Sequence, residues 1–235
     1  MWGLTTEGFF QSEEELKNHA DQSKVGEDDQ SYQFYVGDLK FKDINGDGKI
    51  DNGAGTLADP GDYKKIGNKS NRLPFSVDLN ADWKGFDIRA FFQGIGKKDW
   101  YAEGGNHYFW GIYAQPWTNV QEQNLDHWTP ENPNAYFPRV KAYIAESTGH
   151  ELAAVQTKYL QNAAYMRLKN FTFGYTLPKS LTQKAGIERL RFYFSCENLF
   201  EVSGLTANLD PEALDDDGKV YPLQRSFSFG FNLNF

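Results

Sequence analysis

The sequence has one cysteine among its 235 residues, no excess of basic side chains, and no apolar run near the roughly 18 residues of a membrane-crossing helix. The lone Cys196 cannot form an internal disulfide, and on the apolar side of a predicted strand it serves as a small hydrophobe. The longest apolar stretch lies near Tyr108 to Ala114, which excludes a helical membrane protein. It does not exclude strands, whose alternating side chains average out in hydropathy. The net charge of −8 argues against nucleic acid as a partner, because such proteins carry a basic patch. Catalytic constellations are missing as well. His19, His107, His127 and His150 show no metal-protease spacing, and there is no phosphate-binding glycine loop or nucleophile elbow, so the chain reads as a non-enzyme. Trp2 to Glu15 lacks the basic region and apolar core of a secretory leader.

What the sequence does hold is aromatic residues, at 16%, in alternating patterns. From Arg225 to the end, Phe227, Phe229, Phe231, Leu233 and Phe235 alternate with Ser226, Ser228, Gly230, Asn232 and Asn234. Successive side chains on a strand point to opposite faces, so this segment has one aromatic face and one small polar face. It also has the roughly 9–11 residues that an oblique bilayer crossing requires. Leu73 to Trp83 alternates in the same way, and after the Lys84-Gly85 turn so do Phe86, Ile88, Ala90 and Phe92, which predicts a hairpin. Two further strands are expected at Tyr165 to Leu177 and Leu190 to Glu197. A slip of phase between Leu168 and Phe171 points to a bulge in the first of these.

The connections alternate in length. Lys84-Gly85 and Pro178 to Glu188 (the latter with a helical turn) are short, whereas 96–164 and 201–223 are long. Outer-membrane barrels have short periplasmic turns and long extracellular loops. With Phe235 at the periplasmic rim, 1–72, 96–164 and 201–223 all fall outside. The fold expected is therefore all-β, an antiparallel transmembrane barrel segment of five strands over 73–235, preceded by an extracellular loop region over 1–72. Five strands cannot close a barrel, and an open sheet leaves backbone unpaired in lipid, so the chain reads as part of something longer. The soluble alternative is a secreted, calcium-dependent, carbohydrate-binding β-sandwich. Phe-dominated faces and the very long loop count against it. Clusters at Glu13 to Glu15, Glu27 to Asp29 and Asp215 to Asp217 read as solvated loops.

Two loops carry candidate chemistry. Asp43 to Asp51 matches the first nine positions of an EF-hand-type loop, with Asp43, Asn45, Asp47, the Lys49 carbonyl and Asp51 as calcium ligands and Gly48 at the sharp turn. The twelfth position is Ala54 where a bidentate Glu belongs, so Asp59 or Asp62 would have to complete the set. The alternative is an Asp/Asn/Gly turn without metal. In the second loop, Trp100, Tyr101, Tyr108, Phe109, Trp110, Tyr113, Trp117 and Trp128 are closely spaced. These would form the loop's own core, or else Trp100, Tyr101, Tyr108, Trp110 and Trp117 would present a surface for sugars or a partner protein.

Five stretches resemble the SusC/RagA family of TonB-linked outer-membrane proteins. They are Gly8 to Glu15; Gly37 to Asp51 with Ile66-Gly67-Asn68; Trp128 to Ala135 with Pro138-Arg139; Tyr165 to Pro178; and Glu197 to Phe200 with Asp210 to Glu212 and the terminal strand. The resemblance implies a barrel of roughly 22 strands in the Gram-negative outer membrane. It further implies a SusD-like surface lipoprotein as lid, import of oligosaccharides or peptides, and energy supplied through TonB by parts upstream of this region. A terminal aromatic on such a strand resembles the signal read by the barrel-assembly machinery, which gives Phe235 that role. Deleting Phe235 from the intact protein is expected to lower its level at the cell surface, measured by labelling whole cells; an unchanged level would remove the role.

Overall fold

A computed structural model describes residues 1–25, 33–102, 106–114, 117–141, 151–206, 209–214, 221 and 223–235. The acidic runs Glu27 to Asp29 and Asp215 to Asp217, and His150, lie outside the described residues. Its strands are β1 (Trp2–Gly3), β2 (Thr6–Phe9), β3 (Leu39–Phe41), β4 (Lys64–Lys65), β5 (Arg72–Trp83), β6 (Phe86–Lys97), β7 (Asp99–Trp100), β8 (Gln161–Asn162), β9 (Tyr165–Thr176), β10 (Arg189–Glu197), β11 (Glu201–Ser203) and β12 (Ser226–Asn234). The helices are short: α1 (Glu13–Asn18), α2 (His107–Trp110) and α3 (Lys179–Thr182). None is long and apolar enough to cross a membrane.

The chain forms two compact units. One comprises Met1–Lys69, Asp99–Gln161 and Ala207–Val220; the other comprises Ser70–Lys98, Asn162–Thr206 and Tyr221–Phe235. This differs from a linear division at residue 72, because most of the long connections fold with the N-terminal region as one body. The reason is their aromatic content, which supplies the core of the first unit.

The second unit is an antiparallel sheet in the order β12-β10-β9-β6-β5, with β11 pairing the far half of β9. All five expected strands are present. Lys84 (φ 47°) and Gly85 (φ 89°) make a two-residue hairpin turn in which both positions take the left-handed conformation, and Trp83 pairs with Phe86. The ladder places Trp83, Phe86, Tyr175, Phe192 and Phe231 in one row at the turn end. Ala81, Ile88, Phe173, Phe194 and Phe229 form the next row, then Leu79, Ala90, Phe171, Cys196 and Phe227. Neighbouring rings touch along these rows, as in Phe86–Tyr175 (4.5 Å) and Phe194–Phe229 (4.9 Å). This apolar side is open: Trp83 is 68% exposed and Phe229 84%. A β-sandwich would bury such a side against a second sheet, so this exposure counts against the sandwich alternative.

The opposite side is polar, with rows such as Asn80, Arg89, Thr172, Ser195 and Ser228. Arg191 donates to both oxygens of Asp87 (2.8 and 2.5 Å), bridging β10 to β6 across the intervening β9. The bridge lies over Gly174, where a Cβ would come within 2.6 Å of Asp87 Oδ1. Arg89 makes the shorter link to Asp78 on β5 (2.8 Å).

The expected bulge is in β9. Phe91 pairs with Asn170 but Phe92 pairs with Leu168, leaving Lys169 as the extra residue. A matching irregularity follows β10. Asn198 turns at φ 51° and donates to the Lys169 carbonyl (3.0 Å), after which Glu201 to Ser203 resume pairing with β9. β11 has no alternating signature long enough to be read from sequence. The link after Leu177 holds the expected helical turn, α3, followed by a 3-10 turn over Gln183–Ala185.

Gly94 is the tightest point of the apolar side. A Cβ there would fall onto the Tyr165 carbonyl oxygen and within 2.7 Å of the Phe75 ring. Gly94→Ala is expected to destabilise the assembled protein by about 1–3 kcal/mol in denaturant unfolding. Gly96→Ala, whose Cβ would meet only Leu73 at 3.2 Å, is expected to cost much less. Equal costs would disprove the crowding.

Candidate functional site

The acidic loop is built by carboxylates that cap backbone N–H groups. Asp43 accepts from Gly46 (2.6 Å) and Gly48 (2.9 Å), Asn45 from Asp47 (3.0 Å), and Asp47 from Lys49 (2.9 Å). Asp51 accepts from Gly53 (2.7 Å) and Asp59 from Ala54 (3.1 Å). Asp62 is fully buried and accepts from both Ile44 (2.6 Å) and Asp51 (3.0 Å), so it closes the loop. Gly46 and Gly48 have φ of 77° and 81°, which β-carbon-bearing residues rarely adopt. Ile50 is buried and anchors the loop inward, and its N–H donates to the Asp21 carbonyl (2.9 Å). Among the described residues, no three His, Cys, Asp or Glu side chains are placed to hold a metal ion. As folded, the side-chain oxygens are directed at backbone amides, and Ala54 offers none.

The aromatic loop resolves into a core and a surface. Trp100, Tyr101, Phe109, Trp110 and Tyr113 are buried. Trp110 meets Phe109 (4.7 Å) and Tyr159 (5.2 Å) edge-on, and Tyr113 stacks on Phe137 (5.3 Å). The polar ends of these rings are satisfied inside: Tyr101 donates to the Leu152 and Ala154 carbonyls, and Tyr113 to that of Pro138 (2.8 Å). Burial accordingly pushes the Tyr113 and Tyr159 phenols up from their usual value. Trp100, Tyr101 and Trp110 are thus placed as packing residues. Only Tyr108 and Trp117 of the five expected contact residues are exposed, at 53% and 78%.

Three of the quoted stretches, far apart in sequence, meet in the first unit. Asp38 is fully buried and accepts from Arg139 Nε (2.6 Å) and Lys141 Nζ (2.6 Å). Lys141 also pairs with the buried Glu151, whose other oxygen accepts the Leu39 N–H (2.7 Å). Beside this cluster the Trp128 indole lies flat on Gly37 (φ 90°), where a Cβ would overlap the ring. Trp128 Nε1 reaches Gln11 Oε1 (3.3 Å), and Gln11 Nε2 reaches the Pro133 carbonyl (3.2 Å). Helix α1 continues the contact. Ser12 caps the Glu15 N–H (3.1 Å), Glu15 accepts from the Gln11 N–H (2.7 Å), and Lys40 pairs with Glu15 (2.5 Å). Those two partners hold the Glu15 carboxyl below its ordinary value.

No family model matches the chain. Two curated relatives from Formosa agariphila do. TonB-dependent receptor P3 is 27% identical over 210 residues, or 83% of this chain, and TonB-dependent receptor P26 is 27% identical over 214 residues, or 85%. The chain spans only 19% and 20% of their respective lengths. Among solved structures, the RagAB peptide transporter covers the whole chain at a TM-score of 0.55 and 19% identity. The RagAB peptide importer in its closed-closed state does so at 0.60 and 20%. In both, the chain matches 23% of the larger protein. The chain is similar in sequence to TonB-dependent receptors and in fold to part of the RagAB structures. Neither relative is named for an enzymatic activity.

Asp38, Trp128 and Arg139 lie inside the stretches that carry the resemblance, yet spacing along the chain does not reveal their convergence. Lys141 and Glu151 lie outside those stretches, and no local signal marks them. Burial raises the Glu151 carboxyl to about 7 against the opposing pull of Lys141, with Asp38 adding to the rise. A folded value above the ordinary 4.5 means that the native state holds the extra proton. Its stabilising contribution is complete below about 4.5 and is lost as pH rises through about 7. Protection of the Leu39 amide from hydrogen exchange, corrected for intrinsic rate, is expected to fall across that window, and Glu151→Gln should flatten the dependence. A flat wild-type profile would contradict the assignment.

Proposed function

We propose that this chain builds an arc of the wall, with its outer loops, of a TonB-dependent outer-membrane importer that takes up oligosaccharides or peptides. One observation carries the reading: five strands in phase present an unbroken apolar, aromatic-rich side opposite a polar one. Barrels in lipid require this division, with lipid outside and a polar lumen inside. Among the described residues the sheet ends at β5 and at β12. In hydrocarbon both edges need partner strands, which further barrel strands would provide.

In this reading a SusD-like lipoprotein covers the outer side, and energy arrives from TonB through parts of the importer other than this wall. Of the five aromatic residues expected to make contact, Tyr108 and Trp117 are exposed and would meet substrate or lipoprotein, and Phe235 would serve the barrel-assembly machinery.

The test places a charge on either side of the sheet in the assembled importer. Phe171→Arg lies in the middle apolar row and is expected to cost about 2–4 kcal/mol, with reduced membrane assembly. Thr172→Arg, one residue on and facing the lumen, is expected to assemble normally. The reverse pattern would overturn the lipid-facing assignment. Uptake is then read directly: Trp117→Ala should lower the rate of labelled oligosaccharide or peptide entry without changing surface level.

A further inference from the structure

The short-turn end of the sheet carries a feature that neither strand pairing nor transport requires. Trp83 closes the apolar side at this rim, and the ammonium of Lys84 lies 4.9 Å from the centre of its ring. A lysine left to itself extends into water; here the charge is held on the face that the strand pattern turns towards lipid. The neighbouring link adds to it. The Lys84-Gly85 turn adjoins the end of β9, where the Thr176 N–H donates to the Gly85 carbonyl (2.7 Å). The chain then leads through Pro178 into α3, whose Lys179 is exposed, as is Lys184 in the turn that follows. Between them Leu181 is 58% exposed, an apolar side chain set among cations.

The charge at this rim runs against the rest of the chain. Residues 82–87 and 177–191 hold Lys84, Lys179, Lys184, Arg189 and Arg191 against Asp82, Asp87 and Glu188, a net of 5 − 3 = +2. The whole chain is −8, so the remainder is −8 − 2 = −10. Asp87 and Arg191 neutralise each other on the polar side, which leaves Lys84, Lys179, Lys184 and Arg189 against Asp82 and Glu188 as the exposed charge. Aromatic rings in a row, an exposed leucine and ammonium groups just beyond them match the depth profile of a bilayer interface: acyl chain, glycerol, phosphate.

We infer that this rim binds the phosphate headgroups of anionic phospholipid in the leaflet that the short turns face, with Lys84, Lys179 and Lys184 as the contacts and Trp83 and Leu181 as the apolar anchors. The inference rests on the membrane reading above and goes beyond it. The whole importer carrying this chain would be placed in nanodiscs of phosphatidylethanolamine containing a minor share of phosphatidylglycerol, and the lipids it retains counted by native mass spectrometry. Wild type is expected to retain phosphatidylglycerol over phosphatidylethanolamine by about tenfold. The triple variant Lys84→Gln, Lys179→Gln, Lys184→Gln should lose most of that preference, and high salt should abolish it in wild type without any substitution. No preference in wild type, or a preference that survives both the variant and salt, would overturn the inference alone. An importer that does not enter the bilayer would instead sink the membrane reading.

Discussion

Strand register is the constraint on which the sheet depends. Side chains alternate with a period of two, so a slip of one residue in any strand would move its whole apolar set to the other side. The β9 bulge at Lys169 is such a slip, and it is contained because the partner strand bends at the same level. Asn198 adopts a left-handed turn there, and β11 takes up pairing where β10 stops. The apolar rows at the turn end, from Trp83 across to Phe231, are therefore continuous, and the Arg191–Asp87 bridge on the other side spans three strands only because the rows are aligned. Gly174 is what lets the bridge cross.

A different interaction organises the first unit. A buried carboxylate at Asp38 is stable there because two cations reach it, and those cations come from a segment about 100 residues further along. Removing one partner would strand a charge in a dry site, which is far more costly than losing an exposed pair. The acidic loop uses side-chain oxygens differently, to accept from backbone amides in its tight turns, with Asp43 and Asp62 each accepting from two. An EF-hand-like spacing and a metal-free Asx-turn loop ask for nearly the same residues, and they part only at the twelfth position.

Much of the sheet was legible because a strand's two faces are written locally: a residue and its next-but-one neighbour suffice. The five long strands, the Lys84-Gly85 turn, the bulge and the helical turn after Pro178 all follow from such short-range rules. β11 was not legible, since three residues carry no period. The aromatic loop was legible as a choice between core and surface, and its two outcomes lie side by side: Trp110 is buried within the same loop that exposes Trp117.

By itself the sequence determined the side of the sheet each residue faces, the alternation of short and long connections, and the family likeness, because these depend on order along the chain. Only the tertiary structure decided which segments form one body, that Asp38 gathers Arg139 and Lys141, that Trp128 covers Gly37, and that the acidic loop's oxygens point at amides. Each of those is a meeting between residues distant in the chain or a direction of a single side chain. Neither is encoded in spacing; both follow from the buried volume and charge that the folded chain must accommodate.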